Sequence, residues 1–114
     1  MKLLSHTNLK ENERLALDDI KRYLSKTYPG CRLILYGSKA RGDSGQQSDI
    51  DLLIILNKQV DSKLERAIIH FAYDLELKYD VVLGLMIESK NNWRSQLAKA
   101  MPIHWNIDRE GVAL

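Results

Sequence analysis

The run Asp49-Ile50-Asp51-Leu52-Leu53-Ile54-Ile55-Leu56 constrains the fold more than any other segment. Five consecutive apolar residues, Leu52 to Leu56, read as a buried strand, and two carboxylates stand at its start. Side chains alternate along a strand. Asp49 and Asp51 therefore share one side, and Ile50, Leu52, Ile54 and Leu56 share the other. Packing gives no reason to begin such a strand with two unpaired charges. Adjacent carboxylates repel unless one is protonated or a cation lies between them. A hard divalent cation such as Mg²⁺, held by one or two carboxylates and substrate phosphates, relieves that repulsion.

The segment before it completes a pattern. Arg32-Leu33-Ile34-Leu35-Tyr36 reads as a short buried strand, broken by Gly37-Ser38. Gly37 lets a ligand approach the backbone closely. Ser38 offers a hydroxyl and a backbone N–H at the start of a helical turn, a position that suits anions. Lys39 and Arg41 add positive charge, and arginine grips phosphate bidentately. Alone, an Asp-x-Asp pair is usually solvated surface, and Gly-Ser after a strand is ordinary turn chemistry. In this order and at this spacing they indicate a metal–triphosphate site.

The remaining chain supplies a frame for that site. Leu9 to Tyr28 has helical spacing, with Leu9, Ala16, Ile20, Tyr23, Leu24 and Tyr28 on one face and Glu11, Glu13, Arg14, Asp18 and Lys21 mostly opposite. Asn8 and Glu11 have capping-box spacing, and Pro29-Gly30 ends the helix. Asp61 to Lys78 reads as a second amphipathic helix with Leu64, Ala67, Ile68, Phe71 and Leu75 inward. Asp80 to Ile87 reads as a third strand, interrupted by Gly84 in the manner of a bulge. Ser89 caps a helix carrying Trp93, Leu97 and Met101; Pro102 breaks it, and Ile103 to Glu110 forms a last helix ended by Gly111. The class is α/β or α+β with a small sheet.

Composition narrows the function. At 114 residues the chain reads as a single domain spanning 1–114. Its net charge of +2 argues against direct nucleic-acid binding by bulk electrostatics. The single cysteine, Cys31, excludes an intramolecular disulfide and a cysteine zinc cluster. No stretch approaches the roughly 20 apolar residues of a membrane span, and Met1 to His6 is too short on apolar residues for a signal peptide. These features predict a cytoplasmic protein.

Gly37-Ser38, Ala40-Arg41-Gly42 and Ser48-Asp49-Ile50-Asp51-Leu52 resemble the signature of the DNA polymerase beta-like nucleotidyltransferase superfamily. Within it the chain resembles the minimal nucleotidyltransferases, from the first helix to Ile107-Asp108-Arg109-Glu110-Gly111-Val112. The resemblance implies an αβαβαβ core with a mixed sheet, followed by C-terminal helices. It also implies a third metal-binding carboxylate on a later strand, and Asp80 in Tyr79-Asp80-Val81-Val82 matches that place, with Glu76 and Glu88 as rivals. Two-metal nucleotidyl transfer follows. Asp49, Asp51 and Asp80 would hold two Mg²⁺ ions, and Gly37, Ser38, Lys39 and Arg41 would hold the triphosphate of ATP or another NTP. Family members commonly act as the antitoxin half of a module with a helical HEPN-type toxin. The implied activity is transfer of AMP to a toxin hydroxyl. The roughly thirty residues after the third strand leave the acceptor to be held by a homo-oligomer or by another protein. Two other readings are a small-molecule acceptor such as an aminoglycoside, and a non-catalytic antitoxin that acts by occlusion. His70 reads as structural, Trp93 as core, Tyr36 as buried in the sheet, and His104 and Trp105 as packing on the core or facing a partner.

Overall fold

A computed structural model describes residues 9–42 and 49–114. The elements run α1 (Glu11–Thr27), β1 (Arg32–Tyr36), α2 (Gly37–Arg41), β2 (Ile50–Leu56), α3 (Ser62–Tyr79), β3 (Leu83–Ser89), α4 (Lys90–Trp93), α5 (Gln96–Lys99), α6 (Pro102–Glu110) and β4 (Val112–Ala113). The sheet order is β3-β2-β1-β4. β1 pairs antiparallel with both β2 and β4, and β2 pairs parallel with β3. The mixed sheet and the αβαβαβ core are as the sequence reading requires.

Alternation along the central strands builds two cores. Leu33 and Leu35 of β1 and Ile50, Leu52, Ile54 and Leu56 of β2 face α1 and α3, where Ile20, Leu24, Ile68 and Leu75 cover them. Ile34, Leu53 and Ile55 face the other way and meet Trp93 and Ile107 from the C-terminal helices. Each buried strand is thus sandwiched, which explains why β2 is a continuous apolar run. α3 begins where the Asp61 side chain accepts from the Leu64 N–H at 2.8 Å.

Several boundaries differ from the sequence reading. α1 starts at Glu11 with Lys10 at its N-cap, and Glu13 Oε1 accepts the Lys10 N–H at 2.9 Å. The expected cap residue, Asn8, lies outside the described residues. Glu13, expected on the solvent face, is buried, and Ala67, expected inward, is exposed. The helix expected to carry Trp93, Leu97 and Met101 is two short turns, each started by a serine: Ser89 Oγ accepts from the Asn92 N–H and Ser95 Oγ from the Ala98 N–H. Pro102 sits in the first turn of α6, where its missing N–H costs nothing. β4 adds a strand beyond the sequence reading, since two residues carry no periodic signal.

A buried ion pair links α2 to α1. Lys39 Nζ lies 2.6 Å from Glu13 Oε2, with both side chains almost fully buried. It fastens α2, the turn after β1, to α1. Removing one member of a buried pair leaves an uncompensated charge, which costs about 3–5 kcal/mol. Lys39→Met should therefore lower the urea midpoint strongly, and adding Glu13→Gln should restore most of the loss. Equal midpoints for the single variant and the parent would show that the pair does not hold the fold.

Candidate active site

β1 and β2 are in register with Tyr36 opposite Asp51. The next residue, Gly37, therefore turns beside the Asp51 carboxylate. Gly37 has a φ of +76°, and a Cβ there would fall against Asp51 Oδ2. On the other side, β2 and β3 are in register with Asp51 opposite Gly84. A Cβ on Gly84 would stand 2.8 Å from Asp51 Oδ1, closer than real contacts allow. The carboxylate of Asp51 thus occupies a niche walled by two glycines. Gly84 makes room for this group, a role that its own neighbourhood in the sequence does not disclose. The visible signal is a glycine inside an apolar strand; its partner becomes evident only through the register.

Asp49 precedes β2 on the same face and is exposed. The Asp51 carboxyl is held above the ordinary carboxylate range, first by burial and then by the charge of Asp49, with Arg41 acting in the opposite sense. Burial is also the main cause that raises the neighbouring Tyr36 hydroxyl, with Asp51 adding to it. A partly buried carboxylate whose proton affinity is raised by a second one forms, with it, a donor set that a hard divalent cation would satisfy. Asp49 and Asp51 therefore fit one such ion.

Other expected residues separate into two groups. Gly37 and Ser38 are the first two residues of α2, where backbone N–H groups have no earlier helical carbonyl to meet. Arg41 closes the same helix and reaches across to Glu110 Oε1 at 3.1 Å, which places its guanidinium between α6 and the Asp51 side of the turn. The sequence does not single out Glu110, because a pairing across 69 residues leaves no local mark. Lys39 is a correction. Its ammonium points inward to Glu13 and is only 1% exposed, so it holds the turn rather than meeting a triphosphate. Ser48 lies outside the described residues.

Asp80 is also placed differently. It does not open β3, which begins at Leu83; it is the left-handed C-cap of α3, with a φ of 55° and an exposed side chain. Asn12 Nδ2 donates to the Tyr79 carbonyl at 2.9 Å and tethers this corner to α1. The Ile50 N–H bonds the Val82 carbonyl, so Asp80 lies toward the same end of the sheet as Asp49. Even so, no group of three His, Cys, Asp or Glu side chains suited to a metal gathers among the described residues. The β3 residue level with Asp51 is Gly84 rather than a carboxylate. The rivals are engaged elsewhere: Glu76 accepts the Leu83 N–H at 3.0 Å, and Glu88 is bonded by Asn92. The residues present fit one cation at Asp49 and Asp51, and they do not assemble the three-carboxylate set expected for a second. His104 is buried, stacked on Trp93, with Nε2 3.0 Å from the Trp93 carbonyl. His70 is exposed.

The strand–glycine turn and the antiparallel strand that opens with two carboxylates form the candidate site of this fold. The nucleotidyltransferase domain family matches residues 17–104, and the chain belongs to that family. It is 33% identical over 105 residues to "Putative protein adenylyltransferase MJ0604" of Methanocaldococcus jannaschii, covering 90% of this chain and 98% of that one. A second protein of the same organism, "Putative protein adenylyltransferase MJ0141", is 41% identical over 59 residues, or 52% of this chain and 60% of that one. Among solved structures the fold is similar to "Crystal structure of the toxin-antitoxin with AMP-PNP", with a TM-score of 0.59 and 18% identity over 84% of this chain and 69% of that one. It is equally similar to the crystal structure of a mutant of the toxin-antitoxin MntA-HpeT, with a TM-score of 0.59 and 20% identity over 94% of this chain and 72% of that one. No helix among the described residues is long and apolar enough to cross a membrane.

The niche makes a linked prediction for stability and activity. A carboxyl whose folded pKa is raised contributes stability that is full below its unfolded pKa and lost as pH rises through the folded value. At neutral pH the ionised Asp51 is therefore a cost to the fold. Asp51→Asn should raise the melting temperature at pH 7, flatten its decline as pH rises from the ordinary carboxylate range, and abolish nucleotidyl transfer. An unchanged or lower melting temperature at pH 7 would contradict the niche. Gly84→Ala should reduce transfer at least about tenfold, since an ångström-scale displacement of a reacting group costs on that order or more. Asp80→Asn, which tolerates the left-handed cap, should retain most of the activity.

Proposed function

We propose that this chain transfers AMP from ATP to a hydroxyl of a partner protein in the cytoplasm, and that the partner is a HEPN-type toxin which this modification silences. The observation that carries the nucleotidyl-transfer step is the Asp49–Asp51 pair beside the Gly37-Ser38 turn. The protein acceptor is supported by the relatives' name, and the toxin by the two toxin–antitoxin assemblies that share the fold.

The residues divide the work. Gly37 and Ser38 donate backbone N–H groups, and Ser38 its hydroxyl, to phosphate oxygens at the start of α2. Arg41 supplies cationic charge at the rim while Glu110 fixes its direction. Lys39 and Glu13 keep the turn rigid from below. Asp49 and Asp51 would hold Mg²⁺, which when bound offsets triphosphate charge and favours attack at the α phosphorus. The acceptor oxygen bonds to that phosphorus, the bond to the bridging oxygen of the β phosphate breaks, and pyrophosphate leaves. The hydroxyl proton passes to solvent. The protein orients and neutralises, and no covalent enzyme intermediate is needed.

The test uses ATP labelled at the α phosphate, with Mg²⁺ and an extract of the native host. A labelled protein band that disappears with Asp49→Ala is the expected result, and mass spectrometry then identifies the modified residue. Label on a small molecule alone would replace the protein acceptor with a small one. Full silencing of the partner by Asp49→Ala would replace transfer with occlusion.

A further inference from the structure

β2 and β3 run parallel and end together, with Leu56 level with Ser89. Beyond that point the chain leaves the two strands toward opposite faces of the sheet. After β2 it enters α3, whose Leu64, Ile68 and Leu75 pack on the face shared with α1. After β3 it enters α4, whose Trp93 packs on the other face. Neighbouring parallel strands whose continuations diverge in this way leave a crevice outside their carboxyl ends. Here it is a cavity of about 530 Å³, within the ~300–1,000 Å³ range of small-molecule sites. The run from Asp51 to Leu56 spans roughly 16 Å of strand. The cavity therefore lies at the opposite end of β2 from the Asp49–Asp51 pair.

The lining selects the kind of occupant. Two cations, Lys58 and Lys90, line the cavity, and among the described residues no carboxylate does. The nearest carboxylates along the chain, Asp61 and Glu88, are engaged by the Leu64 N–H and by Asn92. Among the described residues neither lysine forms an ion pair. Leu56 is the one apolar residue of the described lining and is fully buried, so no platform is offered to an aromatic ring or an acyl chain. The rest of the wall is amide and hydroxyl. Part of it is fixed: Asn57 Nδ2 donates to the Gly30 carbonyl at 3.2 Å, and the Ser95 hydroxyl donates to the Asn92 carbonyl at 2.7 Å. The carboxamides of Gln59 and Asn91 have no hydrogen-bond partner among the described residues. Two ammonium groups match the charge of a phosphate monoester near neutral pH. Carboxamides, each both donor and acceptor, match the hydroxyls of a sugar.

We infer that the crevice at the carboxyl ends of β2 and β3 binds a small sugar phosphate, with Lys58 and Lys90 holding the phosphate and Gln59 and Asn91 meeting the sugar hydroxyls. The site is separate from the Asp49–Asp51 site and does not depend on which acceptor receives a transferred group. A nucleotide is a poorer occupant, because its base finds no aromatic or broad apolar face there. A nucleic-acid backbone is poorer too, since the chain carries a net charge of only +2 with which to hold a run of phosphates.

The probe is ribose 5-phosphate, titrated against the ¹⁵N-labelled full chain while amide resonances are followed by NMR. Saturable shifts are expected at Lys58, Lys90 and Asn91 and at the side-chain amides of Gln59 and Asn91. Lys58→Ala and Lys90→Ala should each weaken binding at least about fivefold, since each removes a charge-assisted contact to the phosphate. Neither lysine takes part in an ion pair among the described residues, so both variants should melt as the parent does and bind AMP-PNP equally well. Ribose, which lacks the phosphate, should bind at least about tenfold more weakly, and so should inorganic phosphate, which lacks the sugar. Full affinity in the Lys58→Ala, Lys90→Ala double variant overturns the inference, as do shifts confined to Gly37 and Ser38. Equal affinity for ribose or for inorganic phosphate removes the sugar phosphate as the ligand. Tighter binding of a hexauridylate than of ribose 5-phosphate at the same resonances replaces it with a nucleic-acid backbone.

Discussion

The Asp51 carboxylate between two glycines is the constraint on which the site depends. β1 must end immediately before Gly37, so that the turn passes the carboxylate without a side chain. β3 must pair in the register that sets Gly84 on its other side. A one-residue slip of β2 would turn the carboxylate toward the opposite face and into the α1–α3 core. That slip is prevented by the apolar alternation itself, because Leu52, Ile54 and Leu56 are buried under α1 and α3 in the observed register. Hydrophobic patterning thus does the positioning, and the carboxylate, costly where it stands, is carried along at the head of the strand.

The Gly37–Ser38 turn is held by a different kind of force. α2 is five residues long and has too few internal hydrogen bonds to be rigid alone. The Lys39–Glu13 pair pins it to α1 from inside, and Arg41–Glu110 ties it to α6 at the surface. Of the two cations expected to serve ligands in this region, Lys39 serves the fold. The reason is geometric: successive residues of one helical turn point about 100° apart, so Lys39 and Arg41 cannot both face the same site.

The C-terminal helices have a dual position. Trp93, stacked on His104, and Ile107 close the second core against Ile34, Leu53 and Ile55. Leu97, Met101 and Trp105 in the same segment face outward. Serine caps at Ser89 and Ser95 and the proline at position 102 break the segment into short pieces that wrap around the sheet instead of crossing it as one rod. The pieces carry inner aromatic contacts and an outer apolar surface on the sheet face that also holds the Asp51 niche.

The three longer strands, the two long helices and the conjunction of a glycine turn with Asp49 and Asp51 are legible in the amino-acid order alone. These are local signals: alternation, helical period, turn residues and charge at the head of a buried run. Four other features were settled by the folded chain: what Gly84 is for, that Glu13 is the buried partner of Lys39, that Glu110 meets Arg41, and that Asp80 ends a helix instead of opening a strand. The physical reason is the same for the first three. Register and long-range contact follow from minimising exposed apolar area across the whole chain, and a residue's partner in that arrangement leaves no trace in its own neighbourhood. Asp80 adds a local exception, since an aspartate tolerates the left-handed cap conformation as readily as it heads a strand, and only the packing of α3 against α1 and β3 selects between them.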